Sequence, residues 1–206
     1  MLIRDCAAIV TGGGSGLGAE TARALARQGA KVAVLDLNEA AVQAVAAEIG
    51  GIGLVCDVTD ALSVEGAIAQ ARAGHGAARV CVNCAGVATP GKVVGRKGPL
   101  ALESFAKVVQ INLIGTFNVM RLAAADMLTL EPQASGERGI VVNTASIAAF
   151  DGQIGQAAYA ASKGGVASLS LPAAREFAPA GIRVMAIAPG YFGTPMVNGM
   201  PQEVLD

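Results

Sequence analysis

A single α/β domain spanning residues 1–206, a doubly wound parallel sheet with helices on both faces, is the fold the sequence predicts. Three observations predict it. Val- and Ile-rich apolar runs alternate with Ala-rich helical patterns along the whole chain. Apolar residues make up 53%, mostly Ala and Val rather than aromatics, which suits strands buried on both faces and closely packed helices. No repeat, low-complexity tract or linker divides the 206 residues, a length that one core can serve. Right-handed crossovers then make the sheet doubly wound.

The elements follow in order. An apolar run at residues 6–10 reads as the first strand, and the periodic pattern at 17–28 as the first helix. Strand 31–35, helix 39–49, strand 52–56, helix 61–73 and strand 79–82 repeat the unit. A long fourth helix at 102–128, strand 139–143, a fifth helix at 157–177 and strand 182–188 complete it. Two connections stand out. The stretch 87–100 carries Pro90, Gly91, Gly95, Gly98 and Pro99 and follows the fourth strand, where parallel sheets carry ligand sites. Residues 133–138 form a polar turn.

Charge and composition narrow the function classes. The net charge is −1 with no basic run, which argues against nucleic acid and anionic membrane as partners. No apolar stretch of spanning length is free of charge and turn residues, and a strand begins too early to leave room for a signal peptide. A cytoplasmic enzyme acting on a small molecule is expected. Cys81 and Cys84 form C-x-x-C, yet no second ligand pair exists and the single histidine, His75, lies in a polar turn. Cys6, Cys56, Cys81 and Cys84 read as free thiols, three of them in or beside strands, in a reducing compartment.

Gly12, Gly16 and Gly18 sit between the first strand and the first helix. Glycines there permit a tight turn and let backbone N–H groups approach a pyrophosphate at a helix N-terminus. A purely structural turn has the same look, so the acid that follows carries weight. Asp36 ends the second strand, 18 residues after Gly18. Its carboxylate can accept from ribose hydroxyls and repel a 2′-phosphate, which predicts NAD over NADP; a solvated strand-end Asp is the plain alternative. Asp57 with Val58, and Asn83, Cys84, Ala85 and Gly86, end the next two strands on the same sheet edge, though spacing alone makes them turns.

Tyr159 and Lys163 are four apart in a helical pattern and so share a face. An ammonium beside a phenol favours the phenolate and makes a usable general acid/base for an alcohol/ketone pair. An amphipathic helix with a packed Tyr and a snorkelling Lys gives the same spacing. Ser146 ends the fifth strand, 13 residues before Tyr159, where its hydroxyl can hold a substrate oxygen or merely open a turn. Asn112 is polar within an apolar helix. It needs partners, and is expected to distort the helix or hold a water.

Taken together, these residues resemble the short-chain dehydrogenase/reductase family of Rossmann-type enzymes. T-G-x-x-x-G-x-G at 11–18, Asp36, Asp57, N-x-A-G at 83–86, Asn112, Ser146, Y-x-x-x-K at 159–163, and Pro189-Gly190 followed by Thr194 carry the resemblance across nearly the whole chain. It implies Tyr159 as acid/base, Lys163 lowering its pKa and holding the nicotinamide ribose, Ser146 orienting the substrate and Asn112 supporting a relay water. Ser15 and Leu17 would line the pyrophosphate turn, Asp57 and Val58 the adenine, and Cys84 the adenosine ribose. Phe192 and Thr194 would place the carboxamide. Residues 143–159 and 181–195 are similar to the type II 3-hydroxyacyl-CoA dehydrogenase branch, which also acts on 17β-hydroxysteroids. That likeness implies an acyl-CoA substrate, with Lys92, Arg96 and Lys97 near CoA phosphates, and a homotetramer or homodimer.

The chain departs from the family at three points. Cys84 replaces the second Asn of N-N-A-G, as in that branch. Arg79 stands where many members have Asp, which should alter a local ion pair. The family usually continues beyond residue 206 with a further strand and helix, and without them strand 182–188 would be an exposed edge. A hydroxysteroid dehydrogenase, an acyl-carrier-protein reductase and a non-catalytic NAD-binding scaffold are the alternatives. Asp36 speaks against the second, since those reductases prefer NADP, and the complete Tyr/Lys/Ser/Asn set against the third.

Overall fold

The computed structural model describes residues 1–96 and 98–194. In chain order the elements are β1 (Ala7–Thr11), α1 (Gly16–Arg27), β2 (Lys31–Asp36), α2 (Glu39–Ile49), β3 (Ile52–Val55), α3 (Ala61–His75) and β4 (Val80–Asn83). A small hairpin, β5 (Val94–Gly95) and β6 (Gly98–Pro99), precedes α4 (Leu102–Val109), α5 (Gly115–Leu128), β7 (Gly139–Thr144), α6 (Ala157–Phe177) and β8 (Ile182–Ile187). Every predicted strand and helix is present, with ends shifted by one or two residues.

Six strands pair in parallel in the order β3-β2-β1-β4-β7-β8. The chain runs outward from β1 in one direction and from β4 in the other, so a crevice opens between the carboxyl ends of β1 and β4. Strand β2 shows why the sheet holds. Val32, Ala33, Val34 and Leu35 are all buried, on alternating faces, and burying each larger side chain contributes about 1.5–3 kcal/mol. One core cluster packs Ile9, Leu35, Cys81 and Val141 under α3 and α5; the other packs Val10, Val34 and Val82 under α1 and α2. Helix starts follow local chemistry. The Asn38 side chain accepts from Ala41 N–H at 3.1 Å to open α2, and Asp60 accepts from Leu62 N–H at 3.0 Å to open α3.

The expected fourth helix differs. It is α4 and α5 joined by a π-turn at Gln110–Ile114, with Asn112 fully buried at its centre. Residues 102–128 are long and apolar enough to cross a bilayer, but half of that segment is buried inside the protein. The Gly/Pro-rich connection contains the β5–β6 hairpin, which the sequence did not suggest. Among the described residues Arg79 meets no carboxylate: its guanidinium donates to the carbonyls of Arg138 and Glu131, both at 2.9 Å. On β8, Met185 and Ile187 are exposed at the sheet edge.

Candidate active site

The crevice is a cavity of about 560 Å³ that runs from Asp36 to Tyr159 over the carboxyl ends of the strands. Its floor is the β1–α1 turn, and two glycines there cannot be replaced in place. A Cβ on Gly12, whose φ is +62°, would stand 2.7 Å from the Ala85 backbone. One on Gly18 would stand 2.1 Å from the Gly12 carbonyl oxygen. The turn is therefore bare backbone. Ser15 opens α1 without a side-chain cap, which leaves first-turn N–H groups for an anion. At the far edge Asp36 accepts from Gly14 N–H and Asn38 N–H, each at 3.1 Å.

At the other end three predicted side chains converge. Ser146 follows β7 with extended backbone, and its Oγ accepts from Ala148 N–H at 3.2 Å. The hydroxyl hydrogen can still donate, and the Tyr159 oxygen is one acceptor within its reach. Tyr159 and Lys163 lie one turn apart on α6, and Nζ sits 5.8 Å from the ring centroid. Lys163 is almost fully buried and donates to the Thr144 carbonyl at 2.6 Å. Burial lowers it to about 8, partly offset by the Cys84 thiol. For Tyr159 the direction differs from expectation. Burial raises the phenol, the Ser146 hydroxyl lowers it by less, and nearby Tyr191 adds to the rise. The ammonium lies over the ring face, and the phenol holds its proton more tightly than the bare spacing implied.

A family model for short chain dehydrogenases matches residues 6–204. The chain belongs to the short-chain dehydrogenase family. It is 48% identical to a 3-hydroxyacyl-CoA dehydrogenase type-2 of Homo sapiens, over 98% of this chain and 79% of that protein. It is 38% identical to a cis-4-hydroxycyclohexanecarboxylate dehydrogenase of Sinomonas cyclohexanicum, over 96% and 77%. The crystal structure of a 3-hydroxyacyl-CoA dehydrogenase type-2 from Mycobacterium avium superposes with a TM-score of 0.88 at 41% identity, covering 95% of this chain and 79% of that one.

Short-chain dehydrogenases use a nicotinamide cofactor, and the residues present fit one: a side-chain-free turn at a helix start, at one end of a cavity that ends at Tyr159. Gly12, Ser15, Gly16, Leu17, Gly18, Asp36, Asp57, Val58, Cys84, Ala85 and Gly86 all line it. So do Ser146, Tyr159, Lys163, Pro189, Gly190, Phe192 and Thr194. Two predicted residues do not. Asn83 points into the sheet, where its Nδ2 donates to Asn143 Oδ1 at 2.9 Å, its partner in the β4–β7 register. It ties the two strands from outside the cavity lining. Asn112 also stands behind the wall. Its Oδ1 accepts from Val87 N–H at 2.8 Å, and Nδ2 donates to the Val87 carbonyl at 2.9 Å and to Ser162 Oγ at 3.0 Å. Both amide hydrogens are spent, so the side chain has no donor left for a water.

Sequence reasoning missed Leu37, Thr59, Lys107, Gln110, Ile111 and Thr144 in the lining. Thr144 serves Lys163 through its main-chain carbonyl, which no residue type announces. Lys107, Gln110 and Ile111 are three and four residues apart and reach the cavity from one face of the helix. Lys92 and Arg96 are exposed and away from the lining, and Lys97 lies outside the described residues. Cys84 forms part of the wall as a half-buried free thiol, raised chiefly by burial.

Proposed function

We propose that this short-chain dehydrogenase interconverts a 3-hydroxyacyl-CoA and the 3-oxoacyl-CoA with NAD(H). The convergence of Ser146, Tyr159 and Lys163 at one end of a cavity whose other end is the glycine turn and Asp36 carries the reading of the chemistry. The 48% identity to a 3-hydroxyacyl-CoA dehydrogenase type-2 carries the substrate class. When bound, the nicotinamide accepts or supplies a hydride. The protein's own groups handle the proton and the alignment. Ser146 donates its hydroxyl hydrogen to the substrate oxygen and fixes it beside Tyr159. In reduction the Tyr159 hydroxyl gives its proton to that oxygen; in oxidation the phenolate takes it back. Lys163, held by Thr144, sets a positive charge beneath the developing phenolate and offers its remaining N–H groups to a ribose. The carboxylate of Asp36 accepts from the adenosine ribose and turns away a 2′-phosphate.

A ring alcohol is the competing substrate, supported by the likeness to a hydroxycyclohexanecarboxylate dehydrogenase. With NADH, acetoacetyl-CoA is expected to give a higher kcat/KM than a steroid or cyclohexanone ketone; the reverse order overturns the assignment.

The enzyme is further proposed to be a cytoplasmic homotetramer or homodimer that needs neither nucleic acid nor membrane. Ile114 at the end of the π-turn, Phe117 and Leu128 on α5, and Leu171 on α6 are exposed apolar side chains. Light scattering is expected to give two or four times the chain mass. A monomer at micromolar concentration would remove this part of the proposal.

A further inference from the structure

We infer that Ser162 is a positioning residue for Tyr159, an inference that rests on the acid/base reading of that tyrosine. Ser162 is fully buried on α6, and its hydroxyl is used twice. Oγ donates to the Tyr159 carbonyl at 2.7 Å and accepts from Asn112 Nδ2 at 3.0 Å. Since Asn112 also grips both main-chain groups of Val87, an unbroken hydrogen-bond chain runs from the loop after β4, through the π-turn, to the backbone of Tyr159.

A helical serine commonly bonds back to the preceding turn without serving anything else. Here the back-bond also supplies the acceptor for the second amide hydrogen of Asn112. Without it, a buried N–H loses its partner, which costs about 1–3 kcal/mol if nothing moves. Movement of Asn112 relieves that cost at the expense of the site. Gly86 is near enough that a Cβ there would stand 3.2 Å from Asn112 Oδ1 and 3.6 Å from Lys163 Nζ. A shift of Asn112 therefore reaches the cavity wall and the ammonium together.

The same helix provides a comparison. Ser170, about two turns further on, is also buried. Its Oγ donates to the Val166 carbonyl at 2.8 Å and accepts from Asn143 Nδ2 at 3.2 Å. Its hydrogen-bond pattern matches that of Ser162, but its partner lies in the sheet and not behind the cavity wall. Ser162→Ala and Ser170→Ala should lower the melting temperature alike. Only Ser162→Ala should lower kcat for acetoacetyl-CoA reduction, by roughly ten- to hundredfold, because misplacement of a reacting group costs about that much. NADH affinity, read by fluorescence, should change little in either variant. Wild-type kcat in Ser162→Ala, or an equal loss in Ser170→Ala, overturns the inference. Tyr159→Phe measured alongside separates the two claims. Full turnover in that variant sinks the acid/base reading itself, whereas a dead Tyr159→Phe beside an unimpaired Ser162→Ala sinks only the positioning role.

Discussion

Tyr159→Phe is expected to lose turnover by about 10²–10⁴-fold while binding NADH almost as well as the parent enzyme. The substitution removes one hydroxyl from a ring that stays packed against Lys163. Cofactor affinity and melting temperature should therefore hold, and the loss should fall on kcat. The phenol's pKa gives the sign of the pH dependence. Burial raises it, so the proton is in place at neutral pH for ketone reduction, and alcohol oxidation should speed up as pH rises. Steady-state assays in both directions check this. An unchanged kcat in Tyr159→Phe, or oxidation that slows with rising pH below the range where the protein unfolds, would exclude the proposed proton path.

The second large effect concerns Asp36, and it calls for two variants. The carboxylate accepts from Gly14 N–H and Asn38 N–H, so Asp36→Ala takes away a turn contact as well as a charge. Asp36→Asn keeps one of the two acceptor oxygens and removes the charge. Hydrogen bonds to a charged group contribute about 1.5–3 kcal/mol, so Asp36→Ala should weaken NAD roughly ten- to hundredfold. Asp36→Asn should lose less NAD affinity yet relax the rejection of NADP, because repulsion of a 2′-phosphate needs the negative charge. The ratio of kcat/KM values for the two cofactors is the readout. A ratio unmoved by either change would show that the end of β2 does not choose the cofactor.

Much of this was legible because the chemistry sits in side chains at fixed spacing. The glycine turn, Asp36, Ser146, Tyr159 and Lys163 are each ordinary residues, but their order along alternating strands and helices leaves one crevice where they can meet. Elements such as α6 and β2 were placed to within a residue. What escaped is what the backbone does. The Thr144 carbonyl that receives Lys163 has no signature in residue type. The π-turn at Gln110–Ile114 showed in the sequence only as one polar residue, Asn112, within an apolar helix. Asn83 looked like a site residue because its neighbours Cys84, Ala85 and Gly86 line the cavity, yet strand alternation sends its side chain into the sheet. The tyrosine's shift ran opposite to the simple pair argument because burial of the phenol outweighs the lowering by the Ser146 hydroxyl.

The π-turn has one more consequence. Each residue of an α-helix advances about 100° around the axis, so one additional residue rotates everything beyond it by that angle. The stretch 102–128 is therefore two helices whose buried faces are out of phase. The first buries little beyond Val108, while the second turns Val119, Met120, Ala123 and Met127 into the core. Its angular offset lets one rod serve the sheet with one half and the helix that carries Tyr159 and Lys163 with the other.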